Sequence, residues 1–404
     1  MNTPTGNGQK SAEKLAIVII GAGYAGLMTA LRLAGKDKGR RTEVTLINPE
    51  AVFVERIRNH QFAVRPRAYH HPIRRMLGNR PVRFLQATVT RIDPERRLVT
   101  VHSDGTTHEV RYDRLVCAAG SITGGRTIPG VSQHTCNVAT ADEAARLRPA
   151  LHALPSGSRV AVIGGGLSGI ETAAEIAETL PHLRVMLITA GEFGKHLSPG
   201  GRAYLHDTFR LLQIEVRAQV RVQCVEQDAL IVSAEGEQDK RIPFDLAVWT
   251  GALEAAPLVR TAGLPVNAKG QILLDPCLRS QTYPDIYGAG DCATIPEEVE
   301  VPLRMACSVA QAMGAQVADN LLAGLDGRPL QPFQFGYPWQ CISLGRRRGL
   351  IQFVRRDDTP NRHVLTASGG SVFKELICRY AYHAFALERM FPGFYFWLSP
   401  GRKS

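Results

Sequence analysis

Leu15-Ala16-Ile17-Val18-Ile19-Ile20 runs straight into Gly21-Ala22-Gly23-Tyr24-Ala25-Gly26, and a helical stretch from Leu27 to Leu33 follows. The first six residues are continuously apolar and rich in β-branched side chains, as a strand buried on both faces requires. The turn has the spacing G-x-G-x-x-G. Its first glycine permits the tight turn, and its second lets the backbone approach a pyrophosphate. The third lets helix and strand pack closely while the helix N-terminus faces the anion. Glycine-rich turns are common, so the context decides. Glu43-Val44-Thr45-Leu46-Ile47 supplies the next strand at the distance a βαβ unit needs, and a dinucleotide is expected on the turn. At the end of that strand most such sites carry an acid for the ribose hydroxyls; here stands Asn48, a neutral hydrogen-bonding group.

The pattern recurs. Arg159-Val160-Ala161-Val162-Ile163 is a strand, Gly164-Gly165-Gly166-Leu167-Ser168-Gly169 the turn and Ile170 to Leu180 a helix, with Arg184-Val185-Met186-Leu187-Ile188 the next strand. A single match could be a structural turn. Two, each in a full strand–turn–helix–strand context, point to two dinucleotide sites in one α/β chain.

With 404 residues the chain can bury two or three domain cores. Its apolar fraction of 44% and charged fraction of 21% are those of a soluble globular protein. No apolar run approaches the roughly 18 residues of a membrane-spanning helix. Met1 to Lys14 is polar, reads as a short disordered leader, and lacks the apolar core of a secretory signal. The eight cysteines form no CxxC pair, which fits reduced thiols in the cytoplasm and no metal site. A net charge of +11 suits anionic cofactors or an anionic membrane surface. No nucleic-acid module is present, so nucleic acid is not an expected partner.

Three further segments extend the pattern. Tyr112-Asp113-Arg114-Leu115-Val116-Cys117-Ala118-Ala119-Gly120 resembles the strand-and-glycine segment that closes a flavin domain before the chain crosses over. Phe244-Asp245-Leu246-Ala247-Val248-Trp249-Thr250-Gly251 is its counterpart in the second unit, and Tyr287-Gly288-Ala289-Gly290-Asp291 looks like the late FAD motif. Together they resemble the pyridine-nucleotide-dependent flavoprotein superfamily over nearly the whole chain. The disulfide reductases of that superfamily carry a redox cysteine pair after the first βαβ unit. This chain has Phe53-Val54-Glu55-Arg56-Ile57-Arg58-Asn59-His60 there and no cysteine before Cys117. A sulfide-oxidising quinone reductase also needs placed cysteines, which their scatter does not suggest. The chain is most similar to the type II NADH dehydrogenase branch, with the related ferroptosis suppressor proteins. This likeness rests on Gly164 to Glu171, Met305 to Asn320, Ser343-Leu344-Gly345-Arg346-Arg347 and an amphipathic tail.

The resemblance implies an α/β fold of two Rossmann-like domains, glutathione-reductase-like and three-layered, with a smaller C-terminal region. The FAD-binding domain is expected over 10–125 and 275–328, the NAD(P)H-binding domain over 126–274, and the C-terminal region over 329–404. It implies that Gly21, Ala22, Gly23, Tyr24, Ala25, Gly26, Asn48, Val89, Ala119, Gly120, Gly290, Asp291 and Met305 hold FAD, with Asp291 on the ribityl chain. Gly164, Gly166, Gly169, Thr189 and Gly251 are expected at the nicotinamide cofactor. Glu171 is read either as a catalytic carboxylate, orienting the carboxamide or relaying a proton, or as an acid favouring the helix dipole. Arg56 and His60 lie in the segment that approaches the flavin, and a solvent-facing or structural role is favoured for each. Arg346-Arg347-Arg348 reads as a solvated face.

Two departures stand out. Where the branch usually reads A-Q-x-A-x-Q on its quinone side, this chain has Cys307-Ser308-Val309-Ala310-Gln311-Ala312. Where NADH-specific members carry a glutamate it has Thr189, which would not repel a 2′-phosphate, and Lys195 or Arg202 could reach one. NADH and NADPH both stay open. The expected activity is hydride transfer from NAD(P)H to FAD and onward to a quinone-like acceptor. A reductase of a dedicated biosynthetic pathway and a flavin-binding signalling protein are the alternatives.

Apolar residues at Phe373, Leu376, Ile377, Tyr380, Ala384, Leu387 and Phe391 fall at helical spacing. The aromatic run Phe394 to Leu398 follows, with Arg402 and Lys403 beyond it. Such a tail suits peripheral contact with the cytoplasmic membrane face, or packing on the body or on a second copy in a homodimer. Deletion after Phe373 is expected to leave the flavin bound, since no dinucleotide motif lies beyond Asp291.

Overall fold

The structure, a computed structural model, describes residues 14–67, 69–125, 127–234, 239–296 and 303–399. The expected leader before Lys14 and the basic residues Arg402 and Lys403 lie outside the described residues.

The apolar run Leu15–Ile20 forms β1, the central strand of a five-stranded sheet. Helix α1 (Tyr24–Asp37) leads to β2 (Thr42–Asn48), and a short helix α2 (Asn59–Phe62) precedes β3 (Val82–Gln86). The strand β4 (Arg114–Cys117) lies on the other side of β1, with every pairing parallel. A three-stranded antiparallel meander, Thr88 to Arg111, is inserted between β3 and β4.

The second unit repeats the plan. Strand β5 (Arg159–Ile163) leads into α3 (Leu167–Thr179), followed by β6 (Arg184–Ile188), β7 (Glu215–Arg217) and β8 (Leu246–Trp249). They form a parallel sheet in the order β7-β6-β5-β8. The chain then returns to the first sheet, where β9 (Ile286–Gly288) pairs with β4. Helix α4 (Cys307–Leu325) packs on α1. The two helices approach so closely that a Cβ at Gly314 would stand 2.3 Å from the Ala25 carbonyl oxygen. Strands β10 (Trp339–Ser343), β11 (Gly349–Val354) and β12 (Pro360–Leu365) then form an antiparallel sheet, and α5 (Ala367–Met390) ends the helical part.

This last region joins the two units. Ile342, Leu344 and Leu350 are part of the second unit's core, whereas Ala381, Ala384, Phe385 and Tyr395 are part of the first. The buried side of α5 runs through Cys378, Ala381, Ala384, Phe385 and Glu388, while Leu376, Tyr380 and Phe391 of the expected apolar stripe are exposed. The stripe is thus rotated from its sequence reading, because the buried face includes two charged residues, Lys374 and Glu388, that apolar periodicity cannot register.

Glu388 is fully buried and its carboxylate is fully engaged. Oε1 accepts from Arg32 Nε at 3.0 Å and from the Gly393 N–H at 2.6 Å, and Oε2 from the Tyr395 N–H at 2.8 Å. Arg32, itself 3% exposed, also donates to the Tyr395 carbonyl. Farther along, Arg58 forms a two-pronged pair with Glu375 of α5. The chain beyond Phe373 is thus part of the first unit's packing: its removal takes Glu388 from Arg32 and Glu375 from Arg58, leaving them Asp319 and Glu55, and uncovers the Tyr24 and Phe53 rings that pack on Phe385.

Breaking a buried ion pair from one side costs about 3–5 kcal/mol. Glu388→Ala should lose stability in that range by urea unfolding and open residues 391–399 to limited proteolysis. Wild-type cleavage kinetics there would show that the tail is held by something else.

Candidate active site

Both glycine turns lie at the C-terminal edge of their sheets, where ligands of open α/β folds bind. Each of their glycines does a different job. A Cβ at Gly21, whose φ is +95°, would stand 2.3 Å from the Ala118 carbonyl oxygen, and one at Gly26 would stand 1.8 Å from that of Gly21. A Cβ at Gly23 would meet nothing within 4 Å. The second unit behaves alike: Gly169 is crowded at 1.8 Å by the Gly164 oxygen, and Gly166 is open. The outer glycines serve the fold, and the middle one leaves backbone bare. Gly23 and Gly166 are also the N-cap residues of α1 and α3, and neither helix has a side-chain cap. Unpaired N–H groups of two helix first turns therefore await acceptors, as anion binding requires.

One large cavity receives both ends. Gly23, Tyr24 and Ala25 line it from α1, Leu167, Ser168 and Glu171 from α3. Its volume of about 370 Å³ lies within the roughly 300–1,000 Å³ of a small-molecule pocket. The two glycine turns at its wall, each leading into a helix N-terminus, suit the pyrophosphates of two dinucleotides. A second hollow, lined by Lys38, Arg80 and Arg83, lies at the opposite, N-terminal edge of the first sheet, away from both turns.

Of the expected residues, Gly120, Gly251, Gly290, Asp291 and Met305 also line the cavity. Asp291 Oδ2 accepts from Ser121 Oγ at 2.6 Å and lies 3.9 Å from the Arg56 guanidinium. Gly21, Ala22, Gly26, Ala119, Gly164, Gly166 and Gly169 form the turns behind the cavity wall. Asn48 holds its own turn: Oδ1 accepts from the Ala22 N–H at 2.9 Å, and Nδ2 donates to the Glu50 carbonyl at 2.8 Å. Val89 is half-buried against the first core, beside Ala87, whose N–H donates to the Asn48 carbonyl. Thr189 packs on the second turn, its Oγ1 2.2 Å from where a Gly165 Cβ would be. Arg202, which with Lys195 was expected within reach of a 2′-phosphate, is paired with Glu192.

Glu171 does not begin its helix, which starts at Leu167, so the helix-dipole reading gives way to a specific set of partners. Its Oε1 accepts from Lys374 Nζ at 2.8 Å and from the Ser343 N–H at 2.9 Å. Its Oε2 lies 3.7 Å from His60 Nδ1. The three side chains come from α2, α3 and α5, one from each part of the chain. Burial raises the Glu171 carboxyl, but Lys374, His60 and the Ser343 N–H outweigh it and hold the group below the ordinary carboxylate range. Burial disfavours the Lys374 ammonium, yet Glu171 keeps it charged and its pKa raised. Burial, aided by Lys374, Arg346 and Arg58 and opposed by Glu171, lowers His60 to about 4.

His60 and Arg56 both line the cavity, against the solvent-facing reading, and His60 is 4% exposed. Ser121 and Lys374 carried no sequence signal; Lys374 is visible only as a lone charge on an apolar helix face. Ser308 lines the cavity where the branch has its first glutamine. Gln311 instead donates to the Ala381 carbonyl at 2.7 Å and is structural. The scattered cysteines also converge, since Cys307, Cys341 and Cys378 all line the cavity. Burial pushes the Cys307 and Cys341 thiols up to about 12 and raises Cys378 as well, so they stay protonated rather than nucleophilic. The backbone of the arginine run is anchored, with the Arg346 and Arg347 N–H groups donating to Glu178.

The sequence profile described as pyridine nucleotide-disulphide oxidoreductase matches residues 15–314. The demethylphylloquinone reductase NdbB of Synechocystis sp. is 29% identical over 351 residues, covering 81% of this chain and 84% of its own. A type II NADH:quinone oxidoreductase of Staphylococcus aureus is 25% identical over 369 residues, covering 84% of this chain and 89% of its own. Among solved structures, a sulfide:quinone oxidoreductase from Aquifex aeolicus superposes with a TM-score of 0.79 at 20% identity. That superposition covers 94% of this chain and 96% of the other, and shows the shared fold.

Because Gly23 is extended, with φ −77° and ψ −162°, and its Cβ direction is open, Gly23→Val should fold normally and retain less flavin than wild type. Gly26→Val should lose the fold instead, since its side chain meets backbone. Circular dichroism and flavin content of the two variants check this contrast; equal flavin in Gly23→Val and wild type would remove the pyrophosphate from this turn.

Proposed function

The chain belongs to the pyridine nucleotide-disulphide oxidoreductase family, and we propose that it passes reducing equivalents from NAD(P)H, through FAD, to a quinone. The observation that carries this reading is the pair of strand–glycine–helix turns opening onto one cavity. The names of the relatives, a demethylphylloquinone reductase and an NADH:quinone oxidoreductase, support the acceptor class. In this reading residues 10–125 and 275–328 bind FAD, and 126–274 bind the nicotinamide donor.

FAD, when bound, supplies the redox chemistry: it takes a hydride from the nicotinamide and returns the electrons to the acceptor. The protein supplies placement and charge. The turn Gly21–Gly26 and the first turn of α1 hold the FAD pyrophosphate, and Asp291, fixed by Ser121, holds the ribityl chain. The turn Gly164–Gly169 and the first turn of α3 hold the donor's pyrophosphate, with Thr189 on its ribose side and Gly251 beneath. Glu171, ionised and locked to Lys374, keeps one negative charge and a proton-bearing ammonium within the cavity, where an acceptor gaining electrons also needs protons. The wall formed by Met305, Ala306, Trp339 and Ile377 gives an apolar bed for a quinone ring. Ser308 and Ala312, in place of the two glutamines, favour a second reading that differs only in its acceptor: a polar small molecule of one biosynthetic pathway.

The exposed face of α5 and the segment after it carries Leu376, Tyr380, Phe391, Phe394, Phe396 and Leu398. Among the described residues no helix is long and apolar enough to cross a membrane. Such a face beside Arg379 and Arg389 suits the interface of a membrane, the cytoplasmic face in our reading, where quinones dissolve. Leu376→Glu with Phe396→Glu should weaken co-sedimentation with anionic liposomes and leave flavin content unchanged. A shift from dimer to monomer on size exclusion, with liposome binding intact, would assign the face to a second copy.

Anaerobic titration tests the central claim. NADH or NADPH should bleach the flavin, and a quinone should restore it. Thr189→Glu should shift the ratio of kcat/KM toward NADH by about ten-fold, since a carboxylate accepts from the ribose hydroxyls and repels a phosphate. An unchanged ratio would place Thr189 away from the ribose.

A further inference from the structure

Tyr24, Gln340 and His60 each bring a buried polar atom without a hydrogen-bond partner to the cavity wall, and of the three His60 alone carries an imidazole beside a carboxylate. Its ring is buried and lines the cavity, yet Nε2 has no hydrogen-bond partner in the protein. Buried polar atoms are nearly always paired, so an unpaired nitrogen on a cavity wall marks the place of a ligand atom. The other nitrogen, Nδ1, lies 3.7 Å from Glu171 Oε2. A carboxylate on that side favours the tautomer with its proton on Nδ1, which leaves the Nε2 lone pair without a partner.

Resting on the quinone reading above, we propose that His60 touches the reducible oxygen of the acceptor through Nε2 and delivers the proton that the hydride does not supply. Reduction of a quinone to a quinol adds two electrons and two protons and forms two O–H bonds. The hydride taken from NAD(P)H carries both electrons and one proton. The second proton comes from solvent and reaches the acceptor oxygen through His60.

The charges around the ring fit that task. Glu171 faces it from α3 and Lys374 from α5, with Arg346 and Arg58 farther off. Burial and the three cations keep the resting imidazole neutral, with a pKa near 4. Negative charge developing on the acceptor oxygen favours the imidazolium, and Glu171 stabilises it from the far side. His60 thus takes up a proton when the acceptor is reduced and returns to neutrality on giving it up. Glu171 and Lys374 act on the acceptor through this ring, as positioning residues.

The test uses FAD-loaded full-length protein with His60→Asn and His60→Gln, each checked for flavin content. After anaerobic reduction by the nicotinamide donor, stopped-flow mixing follows reoxidation by menadione or by ferricyanide, which takes one electron and no proton. Both variants should slow with menadione by about 100-fold, the scale of a lost proton-transfer group, and keep the wild-type ferricyanide rate. A second readout needs no turnover: menadiol, whose hydroxyl can donate to Nε2, should bind the oxidised variants about five-fold more weakly. Menadione binding should be unchanged. Menadione and ferricyanide rates falling together, an unchanged menadione rate, or flavin lost from both variants would each overturn the assignment. A wild-type protein whose flavin is bleached by the donor but not restored by menadione would overturn the quinone reading itself, and the proposal with it.

Discussion

A helix cannot satisfy the N–H groups of its own first turn, and where α1 and α3 follow their glycine turns no side chain caps them. Because a strand precedes each helix in a parallel sheet, both turns sit at a C-terminal sheet edge, and the crossover brings the two edges to one cavity. The close contacts at Gly26 and Gly169 press each helix against its strand. The cavity is therefore a consequence of unsatisfied backbone held rigidly in place, and the side chains around it refine a binding surface that the backbone already dictates.

The C-terminal region completes that cavity by means of charge. Lys374 reaches Glu171, Arg58 reaches Glu375, and Glu388 gathers Arg32 and two backbone N–H groups. All three carboxylates have several donors, which is what offsets the desolvation of a buried charge. Apolar packing of Phe385 on Tyr24 and Phe53 supplies contact area, while the ion pairs set which face of α5 turns inward. The outward face keeps its aromatic and aliphatic residues exposed as a result, so one helix roofs the cavity and presents an apolar surface at the same time.

Much of this was legible from residues 15–48 and 159–188. Apolar β-branched runs and glycine spacing are local signals: a strand buried on both faces and a turn without Cβ atoms each have a composition of their own. The roles read for Gly21, Gly23 and Gly26 correspond to three distinct steric environments. What stayed hidden was long-range. Asn48 was read as a ribose ligand and braces the turn. Arg202, read as able to reach a 2′-phosphate, pairs with Glu192. His60 was read as solvent-facing or structural and is buried, because the turn of α2 that buries it packs against α3, more than a hundred residues later in the chain. Cysteines without any spacing pattern converge for the same reason.

The amino-acid sequence by itself determined the two strand–glycine–helix–strand units, since apolar β-branched runs and glycine spacing are local signals. Tertiary structure alone decided the acid–base set of the cavity. His60, Glu171 and Lys374 are contributed by three segments, and no local rule relates them. Their protonation follows from mutual distance and burial, quantities that exist only once the chain has folded.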